Sequence, residues 1–186
     1  AARLAGDLTA LNQSRKALTE KGKEEAIRII ETTELKNDRV LVVYLPDCHE
    51  SLAGIIAGRI REKYHRPAFV LTGGETSAKG SGRSIESYSM YEELVKCADL
   101  MIQFGGHPMA AGLSIEEKNI EEFRRRLNVN CTLTDEELRP KIVIDVPMPV
   151  SYITKELVEQ ISLLEPFGKG NTKPVFAQKN LRVLDH

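Results

Sequence analysis

The sequence has no apolar run approaching the roughly 20 residues that a membrane-spanning helix needs, which excludes a helical span. No secretory leader is legible, because Ala1-Ala2-Arg3-Leu4 leads straight into polar, helix-like sequence. Cysteine is scarce. Cys48, Cys97 and Cys131 are scattered and odd in number; this excludes a disulfide framework and points to free thiols in a cytoplasmic protein. Cys48 and His49 are adjacent, yet no Cys-x-x-Cys or His-x-x-x-His pair accompanies them, and no Asp and His cluster has the spacing of a two-metal phosphodiesterase. No metal site is therefore expected in this chain. Net charge is also nearly absent, at −1. Global attraction cannot draw this chain to nucleic acid, so any such binding has to come from a local site. Internal repeats and low-complexity segments are missing as well. The chain opens without methionine inside helix-like sequence and stops at Asp185-His186 just after a strand-like run, which reads as a piece of a longer protein.

What is present suits one domain, or one domain and part of another, within 186 residues. Residues 1–35 read as a helix: Leu4, Leu8, Leu11, Arg15 and Leu18 fall near one stripe, continued by Ala26, Ile29 and Ile30, with Gly22 as a point where it breaks or kinks. Arg39 to Leu45 is a continuous apolar and β-branched run, the mark of a strand buried on both faces. Asp47 and Glu50 stand three apart like a capping box before a helix carrying Leu52, Ile55, Ile56, Ile60 and Tyr64. Pro67 ends that helix and 68–72 is a second buried strand, so the order predicts a parallel βαβ unit. A glycine-rich loop at Gly73-Gly74 follows. The spacing of Tyr91, Leu94, Val95, Ala98, Met101 and Ile102 predicts a helix over 88–104, with Gly105 as its C-cap. A short strand is expected over 110–115, then a helix opened by Glu116 and Glu117 with Ile120, Phe123 and Leu127 facing inward. Arg124-Arg125-Arg126 reads as the solvated side of that helix. A boundary is expected between Asn128 and Pro140. Beyond it come a strand over 141–146, a helix over 154–164, and a strand pair at 175–177 and 181–184.

Three places can carry chemistry. In Lys79-Gly80-Ser81-Gly82-Arg83-Ser84, glycines let a phosphate approach the backbone, Arg83 can grip it with two N–H groups, and Ser81 and Ser84 add hydroxyl donors. The same composition also describes a plain surface loop. Gly105-Gly106-His107 can expose backbone N–H groups to an anion, with His107 as a hydrogen-bond donor or proton-transfer group. The competing reading is a capping glycine followed by a core histidine. His49 stands at the carboxyl end of the first strand, where open α/β sheets bind ligands, and equally where a solvent-facing residue near a helix cap belongs.

The segment Gly105-Gly106-His107-Pro108-Met109-Ala110-Ala111-Gly112 resembles the Gly-Gly-His-x-x-Ala-Ala-Gly signature of the DHHA1 domain. Gly80-Ser81-Gly82-Arg83-Ser84 is similar to that family's Gly-Ser-x-Arg-Ser segment. Leu164-Glu165-Pro166-Phe167-Gly168-Lys169-Gly170-Asn171, with Pro174-Val175-Phe176 after it, resembles the opening of the C-terminal OB-fold domain of RecJ-type exonucleases, and Leu11-Asn12-Gln13-Ser14-Arg15-Lys16 resembles their linking helix. Around His49 the chain departs from the family's Trp-His-x-Gly-Val-x-Gly: it reads Cys48-His49-Glu50-Ser51-Leu52-Ala53-Gly54. The resemblance implies an α/β fold: a linker helix over 1–35, a DHHA1-like domain over 36–130 with a mainly parallel or mixed sheet flanked by helices, and a partial OB-fold over 140–186. It implies the phosphate-holding half of a 5′-to-3′ single-strand DNA exonuclease serving repair and recombination. A separate DHH domain would carry a Mn²⁺ or Mg²⁺ pair, so this chain alone would be inactive. His107 would face the scissile phosphate with Gly105 and Gly106, while Arg83, Ser84, Ser81, His49 and Arg15 would bind phosphate or strand. The partners implied are single-stranded DNA, the DHH domain and a single-strand-binding protein. Two alternatives stay open: a nucleic-acid-binding module without catalysis, as in alanyl-tRNA synthetases, and a DHH phosphodiesterase acting on short oligonucleotides or cyclic dinucleotides.

Overall fold

A computed structural model describes residues 2–182, in two compact units, Ala1–Pro140 and Lys141–His186. In the first unit a long helix α1 (Ala2–Thr32) leads through a 3₁₀ turn (Glu34–Asn37) to β1 (Leu41–Leu45), α2 (Glu50–Tyr64), β2 (Ala68–Thr72) and β3 (Ala78–Arg83). Then come α3 (Met90–Val95), a 3₁₀ turn (Ala98–Leu100), β4 (Met101–His107), β5 (Ala110–Ile115), a 3₁₀ turn (Glu117–Asn119) and α4 (Ile120–Val129). The five strands form one mixed sheet in the order β1-β2-β3-β5-β4. β1 and β2 are parallel, as the strand-helix-strand order requires, and all other pairs are antiparallel.

Strand alternation divides the apolar residues between two cores. Leu41, Val43, Ala68 and Val70 point to one face, where Ala26 and Ile30 of α1 and Leu52, Ile56 and Ile60 of α2 cover them. Val42, Phe69, Leu71, Leu113 and Ile115 point to the other, beneath Met90 and Leu94 of α3 and Phe123 and Leu127 of α4. Phe69 meets Phe123 edge to face, ring centres 5.4 Å apart. Only the C-terminal part of α1 joins this packing. Leu4, Leu8, Leu11 and Leu18 form an exposed stripe. Gly22 neither breaks nor kinks α1; it lets the helix lie close to α2, since a Cβ there would stand 2.6 Å from Ile56.

Three expectations need correction. The stretch 88–104 is not one helix: α3 stops at Val95, and Met101–His107 is an edge strand on β5. The helical spacing was accidental, since Tyr91, Val95 and Ile102 are exposed, and pairing with β5 satisfies backbone groups that Gly105 and Gly106 would hold poorly in a helix. Asp47 does not cap α2. His49 does, its side chain accepting from Ser51 N at 3.2 Å. The arginine run is not a plain solvated face either. Arg124 grips Asp38 with two nitrogens at 2.6 and 3.1 Å, and this pairing holds its guanidinium pKa above the usual range. Nearby, Asn128 exchanges two 3.0 Å bonds with the backbone of Val40. Together these tie α4 to the start of β1.

In the second unit β6 (Val146–Pro147) pairs in parallel with β7 (Phe176–Ala177), and α5 (Lys155–Ser162) is capped by Thr154, which accepts from Leu157 N at 3.2 Å. The strand expected over 141–146 contracts to β6, and the one expected over 181–184 lies partly outside the described residues. The Leu164–Asn171 segment is a loop closed on itself: Asn171 Nδ2 donates to Leu164 O at 2.7 Å and to Pro166 O at 3.1 Å.

Candidate phosphate and nucleic-acid site

The segment 78–83 is a strand at the middle of the sheet, not a surface loop, with β2 on one side and β5 on the other. Alternation sends its residues two ways. Gly80 and Gly82 face the core under α3. A Cβ on Gly82 would collide with Met90 Sδ and stand 2.6 Å from the Phe69 ring. These glycines make room for core side chains, and the expectation that a phosphate approaches them is overturned by the packing. Lys79, Ser81 and Arg83 face the opposite side, where α2 lies. Lys79 Nζ pairs with Glu50 Oε2 at 2.6 Å, and the side chains of Ser81 and Arg83 lie beside Gly54 of α2. One Arg83 nitrogen donates to Gly82 O at 2.7 Å. Ser84 is 1% exposed, and its hydroxyl donates to Tyr88 O at 2.5 Å. Its only O–H is thereby committed, so Ser84 fixes the turn after β3 instead of offering a donor to a ligand.

The Gly-Gly-His segment ends β4 and turns through Pro108 and Met109 into β5. Gly106 has φ +151°, and a Cβ there would collide with Ala110 O. Only glycine fits this close turn. Gly105 opposes Gly112; both are exposed, and a Cβ on Gly105 would meet nothing within 4 Å. Neither reading of His107 as core residue nor of Gly105 as helix cap survives, because His107 is exposed at the end of a strand.

Strand register brings the two segments together. Ala110 pairs with Arg83 on one side and with His107 on the other. Residues directly opposed across strands share a face, so Arg83, Ala110 and His107 form one row on the face opposite the α3–α4 core. Two strand spacings separate its ends, roughly 10 Å. Between them the floor is Ala110, Gly112 and Gly105, with almost no side-chain bulk. Ser81, opposite Gly112, borders the same floor. This shelf has a guanidinium on one side, an imidazole on the other and bare backbone between, an arrangement suited to an extended, anionic, flat-sided ligand.

The remaining candidates are not in that row. His49 caps α2, with Nδ1 2.8 Å from Ser51 Oγ, and lines a cleft of about 650 Å³ with Leu18, Lys21, Tyr44 and Cys48. Arg15 stands on the exposed part of α1 and donates to Asn12 Oδ1 at 3.0 Å; Ala26, the first fully buried residue of α1, is roughly 16 Å further along the axis. Burial pushes the thiols of Cys48, Cys97 and Cys131 up, so none is tuned as a nucleophile. Among the described residues no group of three or more His, Cys, Asp and Glu side chains could hold a metal, and no helix is long and apolar enough to cross a membrane. Sequence reasoning missed the parts of Gly54 and Glu50; their i, i+4 spacing on α2 was the available signal.

Comparison with known proteins gives a consistent result. Residues 37–132 match the DHHA1 domain family and residues 144–186 the RecJ OB domain family. The chain is 36% identical over 186 residues to the single-stranded-DNA-specific exonuclease RecJ of Bacillus subtilis, covering 98% of this chain and 24% of that protein. It is 36% identical over 183 residues to RecJ of Escherichia coli, covering 93% and 32%. The crystal structure of RecJ in complex with Mg²⁺ from Thermus thermophilus superposes with a TM-score of 0.75 at 28% identity, over 94% of this chain and 27% of that one; a structure of the same protein with Mn²⁺ gives 0.75 as well. The chain therefore spans about a quarter to a third of the length of the relatives it matches.

Proposed function

The chain belongs to the DHHA1 family, in its RecJ branch, and from that premise we propose that it is the phosphate-gripping, strand-holding part of a metal-dependent 5′-to-3′ single-strand DNA exonuclease. The observation that carries the reading is the Arg83–Ala110–His107 row beside a floor of glycine. Single-stranded DNA offers a diester charge at each step and unstacked bases between, and this shelf meets both needs. Arg83 neutralises nonbridging oxygens through a forked pair of N–H donors. His107 donates to a phosphate oxygen at the far side, and Gly105 and Gly106 keep the approach open. Ser81 adds a hydroxyl at the edge. The second unit guides the strand by stacking and charge, as OB-type folds do.

Hydrolysis also needs an activated water, which a Mn²⁺ or Mg²⁺ pair held by a DHH domain would supply. On this reading the chain by itself would bind without cutting. The division of labour is then charge neutralisation here and nucleophile activation there.

The test uses the enzyme with its DHH domain. Arg83→Ala and His107→Ala are each expected to lower kcat/KM on single-stranded DNA by about a hundredfold or more. With the 186-residue chain alone, Arg83→Ala should reduce the salt slope of binding by about 0.7, the value for one phosphate on a single strand. Near-normal cleavage by both variants would overturn the assignment. Preference for tRNA over single-stranded DNA would move it to a tRNA-binding role, and activity confined to dinucleotides to a small-substrate phosphodiesterase.

A further inference from the structure

The stripe of α2 that faces β3 has a gap in it. Glu50 and Gly54 are one turn apart on that stripe, and they follow the outward row of β3: Glu50 pairs with Lys79, and Gly54 lies against Ser81 and Arg83. A Cβ on residue 54 would stand 2.7 Å from an Arg83 terminal nitrogen, 3.3 Å from its Cζ and 3.2 Å from Ser81 Oγ. Gly58, one turn further on, has open space, with nothing within 4 Å of an added Cβ. The glycine at 54 is thus matched to its neighbour and not to the helix as such.

The atoms that a methyl would displace decide what it would do. They are the far end of one long side chain and a hydroxyl, with no backbone among the three nearest. Helix and strand can keep their places while the guanidinium swings aside. Alanine, moreover, suits a helix better than glycine.

We propose that Gly54 is a positioning residue for Arg83: its missing side chain is the slot that seats the guanidinium beside Ser81 at the α2 edge of the shelf, so that its N–H groups meet the diester at a fixed point. This rests on the reading of Arg83 as a phosphate ligand. It goes beyond that reading by assigning the aim of Arg83 to a residue of α2 that touches no ligand.

The experiment is a double-mutant cycle on the full chain with Gly54→Ala, Arg83→Ala and both together. Binding of a fluorescent oligothymidylate and thermal melting are both measured. Gly54→Ala is expected to weaken binding about tenfold, the loss of roughly one charge-assisted contact, while melting stays level or rises. In the Arg83→Ala background the same change should leave binding untouched and raise Tm by about 2–4 °C, because the guanidinium has then left the slot and only the Ser81 hydroxyl borders it. Wild-type binding by Gly54→Ala would overturn the proposal. So would a joint fall in binding and melting, or a further loss of binding in the Arg83→Ala background, since either marks a merely structural glycine. If Arg83→Ala alone bound DNA normally, the phosphate role of Arg83 would fall, and melting would still judge the slot: an equal Tm change in both backgrounds overturns it, a larger rise without Arg83 upholds it.

Discussion

The two faces of the β3–β5–β4 half of the sheet have the same backbone and opposite fates. On one face Gly80, Gly82, Ala111, Leu113 and Ile115 lie against Phe69, Met90, Leu94 and Phe123. On the other, Gly112, Gly105 and His107 are exposed, and the half-buried Arg83 and Ser81 lie beside Gly54 of α2. Glycine appears on both faces and does a different job on each. Under α3 it is small so that large apolar groups can close in. On the shelf its missing side chain leaves the surface open. Composition cannot separate these two uses; strand register does.

That contrast can be put to the test from its strongest expected effect downward. Phe69→Ala removes the ring that fills the space over Gly82 and meets Phe123, and should cost about 3–5 kcal/mol of stability, read from the urea midpoint. A smaller loss would mean that the covered face is less tightly filled than its contacts indicate. Arg124→Ala leaves Asp38, largely buried, without its forked partner, and should cost about 1–3 kcal/mol, in the same measurement. On the open face Gly112→Val should do the reverse. An added Cβ there meets only Gly80 O at 3.8 Å, so stability should change by less than about 0.5 kcal/mol. Binding of single-stranded DNA should nonetheless weaken about tenfold as the shelf is obstructed, which a titration would read. A valine that binds normally would break the comparison.

The smallest effect lies on the outer side of α4. Hydrogen bonds from Arg125 and then Arg126 hold the Glu122 carboxyl down to about 2. Its folded pKa is depressed, so its stabilisation is complete above the ordinary value of 4.5 and fades as pH falls towards 2. Melting should therefore decline slightly over that window, and Glu122→Gln should flatten the decline. The change is slight because the pair is exposed to solvent.

Legibility in the sequence followed how far each residue's partner lies along the chain. The helix of residues 2–32, the strands at 41–45 and 68–72 and the helix between them carry their own periodicity, and periodicity is local. β4 was misread because its partner was the deciding fact: Met101 to His107 is a strand only by virtue of β5. Ser84 and Gly82 were misread for the same reason, since Tyr88 O and the Phe69 ring determine their roles. The motifs single out Arg83 and His107, but their placement in one row depends on Ala110, which the sequence presents as a small packing residue.

Strand order also dictates when the shelf can exist during synthesis. β5 sits between β3 and β4 although it is made after both. Arg83 and His107 leave the ribosome with no bridge between them, and Ala110 closes the row only when the chain doubles back. A nascent chain stopped before residue 110 would thus have Arg83 and His107 and no strand on which to align them. On the proposed reading, the ability to hold a polyanion would come only after β5 is made.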